Sequence, residues 1–491
     1  MKPNHRRAAA AIGAAVASAI LFYLGTGLRP WPLLTWVAPL PVLLVAPRVT
    51  KRSAFGLAAG AWLGGESAWW GYFIGTVQIP VPTAVLMIVG SALLFGLVVL
   101  LARTLISQRR PLLAAVVFPA AWVGVELAMA NAAPFGAWWS LAYTQANVLP
   151  VLQIVSVTGI WGVTFVILLI PASAAAVIES RRRGWRRWQP AIVAATVLAL
   201  VLGYGALRLN ASHAASGERV ALLATDRQID PTPIASPAGQ DLLAAYLSAV
   251  QALRQPGVRI VVLPEKAFTA DATSLPTLTG PMAHLAQERH FDIVVGLILK
   301  QGADSYNAAV DLPADGARPV TYVKQHLVTG VEDDLTAGDS RAYVANEQNR
   351  WALAVCFDLD FPALVRDYRS DAATALFVPA WDFGDDAWLH SRMAITRGVE
   401  NGMSIARAAR QGALTVSDPY GRVIAEGRTA GASMVTVTAR LPSGASSTLY
   451  THLGDWFAWV CVILVLAGVV VAYCGRPGAS RRPGMGSRGA L

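Results

Sequence analysis

Three side chains in this sequence have the chemistry of a nucleophilic acyl-transfer site. Glu265 ends the apolar run "VRIVVLPE", Lys324 lies in "PVTYVKQHLV", and Cys356 ends "ALAVC", with Asp358 and Asp360 just beyond it. A thiol with a pKa of about 8.5 is mostly protonated at neutral pH and needs a base before it attacks a carbonyl. A carboxylate can take that proton. An ammonium can stabilise both the thiolate and the oxyanion formed on attack. Each residue also has a plain structural reading, since a buried cysteine is usually a small hydrophobe and Glu or Lys can be surface charge. Spacing alone leaves open whether the three meet.

Cysteine usage sharpens the question. The chain has three cysteines, and Cys461 and Cys474 lie in or at the edge of a C-terminal apolar segment. A lone thiol in the stretch 216–445 cannot make an internal disulfide there, which excludes a stapled secreted fold.

The elements that must position these residues alternate. "RVALLATD" (219–226) reads as a strand, 239–257 as a helix, 258–265 as a strand ending in Glu265, 278–290 as a helix and 292–300 as a strand. A hairpin follows through a Pro-Ala-Asp-Gly turn and carries Lys324. Then come the strand ending at Cys356, a helix over 363–372, a strand over 373–381, and a long helix over about 386–409. "ALTVSDPYGRVIAEG" and "SMVTVTARL" read as a closing strand pair. Alternation of β-branched apolar strands with helices predicts an α/β unit with buried sheets. Strand ends in such units face the site crevice. No Walker-type loop, internal repeat or H-E-x-x-H metal spacing occurs, and no metal or cofactor is expected.

The rest of the chain is of another kind. Of 491 residues, 55% are apolar and only 14% charged, and the mean hydropathy is +0.47. Stretches near the bilayer-spanning length of about 20 residues fall at roughly 8–28, 31–47, 54–76, 81–102, 111–129, 149–178, 190–208 and 455–474. The first is longer than a signal-peptide core and is followed by further spans, so it reads as a helix. This predicts a membrane domain over 1–215, a catalytic domain over 216–445, and a final span with a basic tail over 446–491.

Charge orients the eight spans. The ends and loops expected on one side hold 18 basic residues: Lys2, Arg6, Arg7, Arg48, Lys51, Arg52, Arg103, Arg109, Arg110, Arg181, Arg182, Arg183, Arg186, Arg187, Arg476, Arg481, Arg482 and Arg488. The short loops opposite hold Arg29. The positive-inside rule then places both termini in the cytoplasm and 216–445 outside it. The net charge of +10 is therefore mainly a topology signal, not a nucleic-acid surface. Trp31, Trp36, Trp69, Trp70, Trp138, Trp139, Trp456 and Trp459 lie near span ends. They read as an aromatic belt or as a surface through which lipid enters.

Segment 216–445 resembles the nitrilase (carbon–nitrogen hydrolase) superfamily in four pieces taken in order: "LPEKAF", "YVKQHLVTGVE", "AVCFDLDFP" and "HSRMAITRGVENG". Together with the spans and with "PFGAWWSLAYTQANVLPVLQIVSVTGIWGVTFVI" (134–167), the chain resembles the apolipoprotein N-acyltransferase family. The resemblance implies an αββα sandwich on a polytopic helical membrane bundle in the bacterial cytoplasmic membrane. It implies Cys356 as a nucleophile acylated from a phospholipid, Glu265 as general base and then acid, and Lys324 as oxyanion stabiliser beside the backbone N–H that follows Cys356. Glu332 and Asp358 would support them, and the acceptor would be a diacylglyceryl-cysteine apolipoprotein. His326 and His390 are expected to be structural.

The chain departs from the family's pattern at several places. Asp358 stands where the family usually has Glu, and Phe357 where it usually has Tyr. "TGVEDDLTAGD" (329–339), "ATDRQID" and "PAWDF" replace its usual loops, and 329–339 reads as a mobile lid. A membrane-tethered amidase with the same triad, or a non-catalytic binding protein, are the competing expectations.

Overall fold

The computed structural model describes residues 3–180, 184–211, 217–344, 350–429 and 431–474. Lys2, Arg181, Arg182, Arg183, the four arginines beyond residue 475 and the expected boundary at 215/216 lie outside the described residues.

Among those residues, six helices are long and apolar enough to cross a bilayer: His5–Gly25, Val81–Ser107, Pro111–Ala132, Ile160–Glu179, Gln189–Ala211 and Trp456–Cys474. Ile160–Glu179 is the central one, buried along most of its length, while the first and last two present apolar side chains such as Ile12, Ile20, Leu200, Leu207, Ile463 and Leu466 outward. The segment expected as the second span is not one helix. It runs as Pro32–Thr35, Leu40–Val45 and a 3-10 turn Ala46–Arg48, because Pro39 and Pro41 lack the N–H a continuous helix needs. It still reaches both ends of the bundle. Trp36 Nε1 donates to Gln145 Oε1 at one end, and Arg48 pairs with Glu179 at the other. Lys51–Gly71 is long, but its glycines and Glu66 make it less apolar than the six, and it continues into a π turn Tyr72–Thr76. The stretch 149–178 breaks at Gly159, where φ is +65° and a Cβ would lie 2.6 Å from the Tyr450 ring.

Residues 217–442 form two stacked sheets with helices outside. The eight-stranded sheet runs Val435–Pro442, Gly217–Ala224, Val258–Val262, Asp292–Gln301, Phe268–Asp271, Thr232–Pro233, and Asp304–Leu312 and Val320–Val323 extend it from Asp292–Gln301. The six-stranded sheet runs Val423–Arg428, Ala413–Ser417, Ser404–Arg410, Ala375–Trp381, Trp351–Leu353, Ala342–Val344. Strand alternation builds both interfaces. Val220 and Leu222 face the second sheet with Phe377 and Ile405. Ala221 and Leu223 face Leu242, Leu243, Met282 and Leu285 of the helices Pro237–Gln251 and Leu275–Arg289. This is the expected αββα sandwich.

Two expected elements differ. The long helix over 386–409 ends at Asn401, and Ser404–Arg410 is a buried strand. Gly402 breaks it with φ +68°, and a Cβ there would lie 2.6 Å from Ser446 O, so a left-handed glycine caps the helix. The closing pair is also different. The Pro-Tyr-Gly turn joins Ala413–Ser417 to Val423–Arg428, whereas Val435–Pro442 crosses to the other sheet and pairs antiparallel with Gly217–Ala224.

Candidate active site

Glu265, Lys324 and Cys356 stand just past strand ends, not on the strands. Val258–Val262 stops three residues before Glu265, Val320–Val323 one before Lys324, and Trp351–Leu353 three before Cys356. Cys356 opens a 3-10 turn to Asp360 with its own φ at +44°, a conformation unusual for a residue with a Cβ. The turn raises the half-buried thiol into the crevice, where Sγ lies 3.5 Å from Trp381 O. Glu265 is fixed from both sheets. Its N–H donates to Ala380 O at 3.3 Å, and Gly296 permits close approach, since a Cβ there would lie 2.7 Å from Glu265 Cα.

Lys324 is buried between two carboxylates. Its Nζ lies 2.9 Å from Glu265 Oε1 and 2.8 Å from Glu332 Oε2. Lys266 Nζ holds the other Glu332 oxygen at 2.7 Å, and Asn307 Nδ2 donates to Glu265 Oε1 at 2.6 Å and Glu332 Oε1 at 2.7 Å. Burial works against the Lys324 ammonium, but Glu265 and Glu332 outweigh it and raise its pKa. Burial likewise opposes the Glu332 carboxylate, yet Lys324 and Lys266 hold it well below the usual range. The Cys356 thiol is pushed up by burial and then by Glu265, with Lys324 and Arg407 acting the other way. A thiol in this setting stays protonated until a base takes its proton during attack.

Asp358 ties the Cys356 turn to the loop after Lys324. Its Oδ2 accepts from Val355 N at 3.0 Å and Tyr322 Oη at 2.7 Å. Its Oδ1 accepts from the backbone N–H groups of Gln325 and His326. His326 stacks on Phe361 with ring centroids 3.7 Å apart. Glu332 therefore lies beside the Lys324 ammonium and Asp358 beneath the turn that begins at Cys356.

His390 lines the same cavity as the triad. Its Nδ1 lies 3.4 Å from Asp382 Oδ1 and 3.6 Å from Asp386 Oδ2. Arg407 pairs with Asp382, and Tyr72 of the π turn donates to Asp386 at 2.5 Å. Asp382, Asp386 and His390 bring ligand atoms within 4.8 Å of one another, a grouping able to hold a cation. The chain's own Arg407 and His390 already balance its charge. Lys266, Asn307, Asp382 and Arg407 were not singled out in the sequence. Lys266, inside "LPEKAF", and Asp382, inside "PAWDF", lay in stretches that could have pointed to them.

The helical bundle supplies the opposite wall. A cavity is lined on one side by Glu265, Lys324, Cys356 and Trp381, and on the other by Tyr72, Phe73, Val77, Ile79, Met87 and Trp138. "PFGAWWS" reaches the turn Cys356–Asp360 directly, with Ala137 N donating to Asp360 O at 2.7 Å. Arg397 and Glu400, from the fourth resemblance motif, form a buried ion pair at 2.6 Å. Arg397 donates to Tyr143 Oη at 2.8 Å, and Glu400 Oε1 accepts from Ile160 N at 2.9 Å. The tryptophans divide accordingly. Trp31, Trp70 and Trp459 are exposed like a belt, whereas Trp69 and Trp138 are buried with rings 4.8 Å apart.

Residues 18–173 match the apolipoprotein N-acyltransferase N-terminal domain, and residues 219–447 match the carbon-nitrogen hydrolase domain. The chain is 28% identical to an apolipoprotein N-acyltransferase of Geobacter metallireducens, over 91% of this chain and 92% of that one. It is 26% identical to another from Gloeobacter violaceus, over 98% and 96%. Among solved structures, an amidase from Nesterenkonia sp. is similar at 20% identity and a TM-score of 0.40, covering 46% of this chain and 92% of that one. With both domains present in order, this chain is an acyltransferase that belongs to the apolipoprotein N-acyltransferase family, its α/β unit being of the carbon-nitrogen hydrolase superfamily.

Proposed function

We propose that this enzyme moves a fatty acyl chain from a phospholipid, through a thioester on Cys356, to the N-terminal amine of diacylglyceryl-cysteine lipoproteins. The observation that carries the reading is the shared cavity, with reactive groups on one wall and apolar side chains of the membrane bundle on the other. A hydrolase for small polar amides has no use for an apolar wall built from membrane helices. An acyl chain does, and the wall also keeps water from the thioester.

In the first half-reaction Glu265 takes the thiol proton as sulfur attacks the ester carbonyl. Lys324 and the backbone N–H of Phe357, at the start of the 3-10 turn where such groups lack intrahelical partners, face the oxyanion. Collapse breaks the ester C–O bond. Glu265 returns the proton to the departing glycerol oxygen, and lysophospholipid leaves. In the second half-reaction the neutral α-amine attacks the thioester and Glu265 accepts its proton; collapse breaks the C–S bond as the amide forms, and Glu265 returns that proton to the Cys356 sulfur. Glu332 holds Lys324 in place throughout.

The same reading divides the chain into a membrane domain over 1–215, the catalytic domain over 216–445, and a last span with its tail over 446–491. It puts the catalytic domain outside the cytoplasm and both termini inside. Reporters fused near Ser216 and after Arg476 should fall on opposite sides of the membrane.

The deciding experiment is mass spectrometry of the protein taken from its membrane. A fatty acyl mass on Cys356 is expected, absent in Cys356→Ala and in Glu265→Gln, and released by a diacylglyceryl-cysteine peptide. Lys324→Ala should slow its formation by about 10²–10³. Undiminished acylation in Cys356→Ala would refute the thioester.

A further inference from the structure

Glu332 is held by two ammoniums, and the mechanism above uses only one of them. Lys324 Nζ lies 2.8 Å from its Oε2 and Lys266 Nζ 2.7 Å from its Oε1. Lys324 also pairs with Glu265 at 2.9 Å. Charges therefore alternate along one buried row: Lys266, Glu332, Lys324, Glu265. No member of the row is more than 6% exposed, and its charges sum to zero.

The backbone lets two neighbours join the same row. Glu265 and Lys266 form the turn between the strands Val258–Val262 and Phe268–Asp271. Successive side chains of an extended chain point to opposite faces. Lys266 has φ +48°, a left-handed conformation uncommon for a residue with a Cβ, and the alternation fails there. Such a conformation persists where surrounding contacts enforce it, typically at functional sites. Here the contacts are Glu332 and the Trp381 ring, whose centroid is 4.7 Å from Lys266 Nζ. Trp381 is itself fixed, with Nε1 donating to Gln411 Oε1 at 2.6 Å.

Asn307 Nδ2 donates to both Glu265 Oε1 and Glu332 Oε1, so the two carboxylates are near neighbours. Like charges this close disfavour each other's ionised form. Lys324 alone leaves one negative charge in excess, and Lys266 cancels it. Other groups face the row. Val328 N–H donates to Glu332 Oε2 at 3.0 Å. The Cys356 thiol and the Arg410 guanidinium act on Glu265 through space. Arg407 and Asp382 act on Cys356, and Asp360 on Lys324. Among the described residues, only Lys266 brings a second cation into an ion pair with Glu332.

We propose that Lys266 is a positioning residue for acyl transfer that acts through Glu332. It keeps this carboxylate an anion, so that Glu265 alone exchanges protons with thiol and amine. This rests on the reading that Glu265 is the base for Cys356. Without Lys266 the row takes up a proton, which the two coupled carboxylates share. Either the base is lost or the hold on Lys324 is loosened, at a higher pH than in the wild type.

The test is the pH dependence of single-turnover Cys356 acylation, with full-length protein in phospholipid vesicles between about pH 4 and pH 9. Lys266→Met should move the acid limb up by about one pH unit, the low end of what an adjacent opposite charge supplies. Rates on that limb then fall about tenfold. Lys266→Arg keeps the charge and should leave the limb near its wild-type position. The double variant Lys266→Met, Glu332→Gln removes one charge of each sign. Its limb should return to the wild-type position while its plateau rate stays low. A purely structural ion pair would lower the melting temperature and the plateau in Lys266→Met but leave the limb in place. That result would overturn the proposal, as would a double variant displaced as far as Lys266→Met. Should Lys266→Met fail to fold, Lys266→Gln carries the comparison. No acyl-enzyme in the wild type at any pH would instead remove the reading of Cys356 as nucleophile.

Discussion

Asp358 holds His326 twice, accepting from its backbone N–H at 3.0 Å and lying 3.1 Å from its Nδ1. The contact fastens the loop that follows Lys324 to the turn that carries Cys356. With Tyr322 and Val355 on its other oxygen, Asp358 fixes the distance between ammonium and thiol. Asp358→Ala should therefore lower the acylation rate about 10²-fold, the scale on which a misplacement near 1 Å acts. Asp358→Asn keeps an acceptor oxygen and should recover much of that loss. The check is acyl-enzyme formation set against the melting temperature. Equal rates in both variants and wild type would mean that the clamp has no catalytic consequence.

The segment 329–339 has the makeup of a lid, but the structure ties it down at Glu332, at Thr336, whose N–H donates to Ser305 O at 2.8 Å, and at Gly338. Glu332 is buried against Lys324 and Lys266, while Val328 and Val331 line the cavity. Gly338 N also donates to Lys324 O at 2.9 Å. Glu332→Gln should slow both half-reactions, because it loosens the lysine that serves both. Deleting residues from Asp333–Ala337, which span the stretch between Glu332 and Gly338, should slow transfer to the acceptor peptide more than donor acylation. Acyl-enzyme would then accumulate in the deletion variant and not in Glu332→Gln. Parallel losses in both steps of the deletion would rule out a lid selective for the acceptor.

Much of this was legible in the sequence, for identifiable reasons. Cys356 and Glu265 stood out as scarce reactive side chains at the ends of apolar runs, and Lys324 as a cation within one. Glu332 and Asp358 entered by resemblance. The position of Cys356 beyond its strand was not legible, since φ +44° leaves no mark in "ALAVC". The break after Asn401 was signalled by Gly402 and overlooked because the helical pattern ran on past it. Contacts such as Tyr72 with Asp386, separated by 314 residues, have no local signal at all. The apolar wall of the cavity, and hence the argument for an acyl substrate, could come only from the assembled fold.

Stability should depend on pH through the cluster at His390. Burial lowers the imidazole pKa, but Asp386 and Asp382 outweigh it and raise it to about 9 from an ordinary 6.5. A raised folded-state pKa stabilises fully below about 6.5, and the gain is lost as pH climbs to about 9. Burial pushes Asp360 up to about 7 from an ordinary 3.8, so its protonated form gives the same slope between those values. Asp382 is pushed up by burial but held down at about 2, mainly by Arg407, and opposes the trend only at more acid pH. The melting temperature should therefore fall from pH 5 to pH 9, and His390→Gln should flatten the upper half of that range. A wild-type melting temperature that rises toward pH 9 would contradict this account.

Gly136 carries the contact between the membrane bundle and the turn Cys356–Asp360. Its φ is +55°, and a Cβ there would lie 2.5 Å from Asp360 O, the atom that accepts from Ala137 N. Gly136→Ala imposes left-handed backbone strain, about 1–2 kcal/mol, and also pushes the turn away from the bundle. Gly431 separates the two effects. Its φ is +66°, yet its Cβ would meet nothing within 4 Å. Gly431→Ala should lower the melting temperature by the strain alone and leave acylation of Cys356 at the wild-type rate. Gly136→Ala should lower the melting temperature at least as much and slow acylation about tenfold or more, because Cys356 and Asp360 begin and end the same turn. Rates that fall equally in both alanine variants would show that the bundle does not position the nucleophile through this contact.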